Sequence, residues 1–284
     1  MNDPAAFRAA AEDSAMRQRA RGEARARFER AGARSEAAHI FETGGLRLRF
    51  PRAEAECEAV LVNTGGGMAG GDRATIEMAV GANARAFVTT QSAEKIYRCE
   101  REPVRVEARL SVERGGALTW APQETLLFEA SALERRLEAD VAADASLTIV
   151  EAVVFGRLAS GETRIAATLI DRWRVRRAGR LVFAEALRLA DAAATLDRPA
   201  VGAGARAIAT VLCVAPEAEA AAPNLRAALE AIAAEPGEPL DIGASGFDGM
   251  AIARLASPSP SRLRAAVIAA ILTLHGGRPP RVWS

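Results

Sequence analysis

The chain has 284 residues, half of them apolar and 26% charged, with a formal net charge of +1; that balance suits one large globular domain or two modest ones with a sizeable core. A near-neutral charge with only 5% aromatic residues excludes a basic, aromatic-lined nucleic-acid surface, and no apolar run approaches the ~20 residues of a membrane helix. Cys57, Cys99 and Cys213 lie far apart with no CxxC, so neither a disulfide framework nor a zinc site is expected.

The first 28 residues lack an apolar core and carry Asp3, Glu12 and Asp13 among arginines, unlike a signal or transit peptide. A cytoplasmic location follows as the expectation, with residues 1–15 a variable, disordered segment. From there to about residue 190 the dominant period is two. ARARF (24–28), ATIEMAV (74–80), VRVEARLSV (104–112) and RWRVRR (172–177) alternate apolar with polar residues, which predicts strands with one buried and one wet face. Glycine pairs and runs at 44–45, 65–67, 70–71 and 115–116, with Gly179, interrupt them. Such punctuation fits successive antiparallel strands or stacked β-layers. No exact repeat unit is visible, which argues against a regular short-repeat solenoid.

After about 190 the texture changes to an Ala- and Pro-rich stretch, 191–240, expected to hold a boundary or loose connections. Helices are predicted over 223–234 and 261–274 from apolar residues at offsets of three and four. Ser257 or Ser259 is the expected cap of the second, with Gly276–Gly277 closing it. GMAIARLA (249–256) is expected to be a strand. The simplest arrangement is a β-rich body to about 190 with an αβ portion over 191–284.

Of 37 basic residues Lys95 is the sole lysine, and Tyr97 is the sole tyrosine. In an extended TTQSAEKIYR both side chains leave the same face. A compact ammonium here fits an ion pair with a buried carboxylate such as Glu94 or Glu124. NTGGGMAGGD looks like a phosphate-cradling loop, but the strand pattern after it and the missing lysine exclude a P-loop or dinucleotide fingerprint. His39 and His275 are the only histidines, too few for a stable imidazole metal centre. His275 ends a helix, where it complements the macrodipole.

Five segments together resemble the UreD (UreH) family of urease accessory proteins. They are LVNTGGGMAGGD (61–72), FVTTQSAEKIYR (87–98), GGALTWAPQETLLF (115–128), EAVVFGRLASGE (151–162) and PRVW (280–283). Ala69 and Thr119 depart from the pattern. The resemblance spans one domain over 16–284. It implies a mainly β fold, an irregular β-layer or β-helical, solenoid-like body with a few helices, chiefly near the C-terminus. It also implies a scaffold that catalyses nothing. Such a scaffold binds a UreF-like accessory protein, a UreG-like GTPase through it, and the urease apoprotein, and promotes nickel insertion, with an internal passage suggested for the metal.

The candidate partner-binding or channel-lining residues are Gly65, Gly66, Gly67, Asp72, Thr89, Thr90, Gln91, Lys95, Tyr97, Gln123, Glu124 and Arg157. Asp72, Glu151 and Glu162 are the candidate transient nickel ligands; no tightly bound cofactor is expected. Each has a plainer role: turn glycines, an Asx-type bond for Asp72, and an Arg157–Glu162 pair bracing a turn. The alternative is a β-solenoid enzyme using paired carboxylates with Lys95, which requires these groups to converge in one cleft.

Overall fold

A computed structural model describes residues 19–51, 55–157, 160–162, 164–276 and 279–283. The expected variable segment 1–15 lies outside the described residues. The chain opens with two antiparallel pairs. β1 (Arg21–Ala31) and β2 (Arg34–Thr43) lie in a first sheet; β3 (Leu46–Arg49) and β4 (Cys57–Asn63) lie in a second. It then winds between the sheets. β5 (Arg73–Val80), β8 (Val104–Val112), β11 (Ala132–Val141) and β13 (Thr168–Arg177) join the first. β6 (Arg85–Thr90), β9 (Ala117–Trp120) and β12 (Ser146–Phe155) join the second. After a kink, β6 and β9 continue as β7 (Glu94–Ile96) and β10 (Thr125–Leu127), which pair with each other, and β10 with β12. β14 (Arg180–Leu189) returns antiparallel to β13 and closes the edge of the first sheet.

The winding strands stack in parallel, β1 on β5, β5 on β8, β8 on β11 and β11 on β13. The body is therefore solenoid-like, as the resemblance implies, and the successive antiparallel pairing expected from the glycine punctuation is confined to its ends. Each turn passes from one sheet to the other across a corner, so the next strand in sequence never lies beside the last. In the first sheet, register partners stand 32 residues apart between β5 and β8, 29 between β8 and β11 and 36 between β11 and β13. The coil length varies by a few residues around these values, and the sequence itself does not repeat.

Burial explains why the two sheets read differently. The first sheet has one solvent face, and its strands alternate: β13 buries Leu169, Asp171, Trp173 and Val175 and turns the residues between them outward. The central strands of the second sheet, β12 and β15 (Ala207–Val214), are covered on both faces. β12 is an almost unbroken apolar run with nine consecutive buried residues, the pattern of a doubly covered parallel strand. One core fills the space between the sheets, around Phe28, Met78, Leu118, Leu137 and Trp173. A second core packs the outer side of the second sheet against α2 (Ala222–Ala234) and α3 (Pro260–His275), through Val150, Val154, Leu225, Leu229, Leu263 and Val267.

The stretch 191–240 is not loose. After α1 (Ala192–Leu196) it holds β15 (Ala207–Val214), which pairs with β12 on one side and β17 (Met250–Ser257) on the other. β16 (Asp241–Phe247) completes that edge. The C-terminal portion thus extends the same sheet by main-chain bonding. α3 begins at Ser259, whose Oγ accepts the Arg262 amide at 3.4 Å, and ends at Gly276 in the left-handed region. Among the described residues no helix is long and apolar enough to cross a membrane.

Candidate functional site

The corners that carry the chain from the second sheet to the first, at 64–72, 97–103 and 128–131 and, in the fourth, the described residues 156–157, 160–162 and 164–167, stack along one side of the solenoid. The first is the glycine loop. Gly66 and Gly67 have positive φ, and a Cβ on Gly67 would sit 2.4 Å from the Tyr97 ring. Only glycine fits there. Tyr97 lies in that space and its hydroxyl donates to the Gly66 carbonyl at 3.1 Å. On the next corner Phe128 meets Tyr97 edge-on, ring centroids 5.4 Å apart, and the Arg157 guanidinium lies 4.6 Å from the Phe128 ring centre. Glu162 holds Arg157 in place: one oxygen accepts its amide at 3.1 Å and the other its guanidinium. Residues from four successive coils thus make one column, with Tyr97 40% exposed at its middle. The lone tyrosine is a corner piece.

Asp72 bonds to two backbone amides. Its oxygens accept the Ala20 and Ala69 amides, both at 2.8 Å, so the buried carboxylate ties the entry of β1 to the glycine loop. Beside that loop a cleft of about 60 Å³ is lined by Asn63, Gly66, Gly67, Gln91, Glu94 and Lys95 among others. It has room for a few waters and falls far below the ~300 Å³ of a small-molecule site. Lys95 and Tyr97 do leave the same side, flanking buried Ile96. The ion pair expected for Lys95 is absent among the described residues. Glu94 is held instead by the Asn63 amide at 3.0 and 3.1 Å, and burial raises its pKa. Glu124 belongs to Arg264, at 2.8 Å. The enzyme alternative needs two carboxylates beside Lys95; among the described residues lining the cleft there is one, Glu94.

Thr89, Thr90, Gln123 and Glu124 act together on the C-terminus. Trp283 Nε1 donates to Thr89 Oγ1 at 3.1 Å and to the Ala121 carbonyl at 3.3 Å. Gln123 Nε2 donates to the Val282 carbonyl at 2.9 Å, and its own amide donates to Thr90 Oγ1 at 2.9 Å. Arg264 donates to Gln123 Oε1 at 2.6 Å and stacks 4.8 Å from the Trp283 ring centre. The threonines, the Pro-Gln-Glu turn and the Pro-Arg-Val-Trp ending are three parts of one clamp. His275 does more than end its helix: it bridges Thr119 Oγ1 at 3.2 Å and Glu56 at 3.1 Å.

Glu151, grouped with Arg157 and Glu162 by sequence, sits apart from them between the sheets. One oxygen accepts Trp120 Nε1 at 2.9 Å and the other accepts Arg135. The second arm of Arg135 reaches Asp171 Oδ2 at 2.5 Å, and Trp173 Nε1 donates to Asp171 Oδ1 at 3.0 Å. All four carboxylate oxygens are satisfied, while Arg135 Nε has no hydrogen-bond partner among the described residues. Burial, and then the neighbouring Asp171, raise the Glu151 pKa against the pull of Arg135 and Trp120. Burial works against the Arg135 charge, but the two carboxylates outweigh it and raise its pKa. Arg135 and Asp171 escaped the sequence reading. Their signal was a charged residue at an inward position of an alternating strand, LERRLEADV and LIDRWRV.

Asp72, Glu151 and Glu162 do not converge, and among the described residues no three of His, Cys, Asp and Glu are placed to hold a metal ion. Burial also pushes the Cys57 thiol up to about 11, so it offers no thiolate at neutral pH.

Residues 20–284 match the family model described as UreD urease accessory protein. The chain is 44% identical over 225 residues to the urease accessory protein UreD of Rhodopseudomonas palustris strain HaA2, covering 79% of this chain and 78% of that relative. The UreD of Beijerinckia indica subsp. indica is 44% identical over 254 residues, 89% of this chain and 93% of its own length. That of Xanthobacter autotrophicus is 42% identical over 277 residues, 97% and 94% of the two chains.

Proposed function

This chain belongs to the UreD urease accessory protein family, and from that premise we propose that it serves urease maturation as a cytoplasmic, non-catalytic scaffold. In this role it binds a UreF-like protein, recruits a UreG-like GTPase through it, docks on the urease apoprotein and promotes nickel insertion. The column Gly66–Tyr97–Phe128–Arg157 carries the reading. It is braced across four coils and presents a tyrosine and an arginine to solvent, the residue types that anchor protein interfaces. The adjacent cleft is too small for an organic substrate.

Nickel is cargo in this scheme. The described carboxylates offer single oxygen donors and no clustered thiolate or imidazole set, which suits passage better than retention. The test is capture of purified UreF-like protein by the full chain, alongside nickel loading of urease. Tyr97→Ala with Arg157→Glu is expected to lower capture at least about tenfold and loading with it, at unchanged circular dichroism. Undiminished capture and loading by that variant would remove the corner face from the scheme. Unaided turnover of a small molecule by purified wild-type protein would overturn the scaffold itself.

A further inference from the structure

The outer face of the first sheet changes character across its width. Over β1, β5, β8 and β11 its charges are matched. Arg25, Glu77, Arg109 and Glu138 are successive register partners. Glu77 contacts Arg25 at 3.4 Å and Arg109 at 3.0 Å. Glu134 holds Arg105 at 3.2 Å, and Glu138 holds Arg136 at 2.5 Å. On β13 the matching stops. Arg172, Arg174 and Arg176 point outward at alternate positions, and among the described residues none of them makes an ion pair. Glu138 and Asp140 are in register with Arg174 and Arg176 but stay outside ion-pair distance of them.

β14, the last strand of this sheet, adds Arg188 to the outer face, in register with Ile170, and no outward acid. Its Glu185, in register with buried Trp173, is taken by Arg254 at 2.6 and 2.7 Å. Among the described residues β14 pairs on one side only, and its Val182, Phe183 and Leu187 are just partly covered. The residues in register with Arg174 and Arg172 are Ala184 and Ala186, both exposed. Small side chains there leave the two arginines a clear path over β14, one strand spacing of about 4.8 Å. Whatever pairs with the free edge lies within their reach.

We infer that β14 is a docking edge for an extended segment of another protein that carries carboxylates at alternate positions and adds as an eighth strand to this seven-stranded sheet. The backbone edge supplies pairing, the half-covered apolar side chains gain a neighbour, and the arginines read the carboxylates. A second copy of this chain is a poor occupant, because β14 against β14 sets arginines beside arginines. A nucleic acid is also a poor one. The strip has no aromatic residue on its outer face to stack bases, and Glu138 and Asp140 border it. This surface is separate from the corner face, so either can fail alone.

The experiment is fluorescence anisotropy of the full chain with a labelled nine-residue peptide alternating valine and glutamate, with hydrogen exchange read along β14. Saturable binding is expected, weakening with added salt, with slowed exchange over 182–188. Arg172→Glu with Arg174→Glu is expected to lower affinity at least about tenfold at unchanged circular dichroism. A valine–lysine peptide is expected not to bind. The inference is overturned by no saturable binding at about 1 mM peptide, by equal binding to the reversed variant, or by protection elsewhere than β14. Tighter binding of a single-stranded oligonucleotide of equal charge would overturn it in favour of a nucleic-acid surface.

Discussion

The outer face of the first sheet and the space behind it hold charges of the same kinds to different ends. Outside, arginines and glutamates alternate across coils because the parallel register sets them side by side, and each contact stays wet. Inside, Arg135 and its two carboxylates are closed off between the sheets, with indole donors completing the shell. Exposed pairs add little, since water already solvates both partners. A buried pair also gains little over apolar packing, but removing one member strands the other without water. The contrast teaches that the interior triad sets a penalty on disruption, whereas the outer rows set which surfaces attract and which are neutral.

A series of arginines graded by exposure tests this: side chains are 7% exposed at Arg135, 31% at Arg264 and 52% at Arg109. Arg135→Ala is expected to cost about 3–5 kcal/mol in urea-denaturation stability; a loss below about 1 kcal/mol would erase the contrast. The triad also carries a pH signature. The folded-state pKa of Glu151 is raised above the ordinary 4.5, so folding takes up a proton between the two values. Stability from this group is present at low pH and is lost as pH rises through that window. Glu151→Gln is expected to remove that fall; equal slopes of urea midpoint against pH in both proteins would contradict it.

Arg264→Met lies between the extremes. It removes the Glu124 pair and the bond to Gln123 but leaves Glu124 near water, with an expected loss of about 1–2 kcal/mol and increased proteolysis of the C-terminal residues. Arg109→Ala is the smallest step, about 0.2–1 kcal/mol. It is expected to vanish at about 1 M salt, a condition that leaves the Arg135 penalty in place.

Strands of the first sheet were legible because one face is wet, and VRVEARLSV forms β8 with the expected bounds, Val104–Val112. The helix ends were legible for a local reason, Ser259 capping α3 and Gly276 closing it. β15 was not. AIATVLCV is covered on both faces, so no polar alternation marks it, and the surrounding alanines and prolines disguised a strand in the interior of the second sheet. At the candidate site, the glycine loop and Tyr97 were found as separate motifs. Their contact spans 31 residues of chain, one coil, a separation that no local pattern reports.

By itself the amino-acid order determined the local things: where the chain extends, where glycine must bend it, where a helix starts and stops, and which family it resembles. These depend on neighbours within a few residues, through side-chain period, backbone freedom and capping bonds. Tertiary structure alone decided the partners. Glu124 goes to Arg264 and not to Lys95, Glu151 leaves Glu162 for Arg135, and three arginines of β13 are left without an ion pair among the described residues. Those choices follow from the length of a coil and the packing of one sheet on the other, which fix distances between residues that the chain itself keeps far apart.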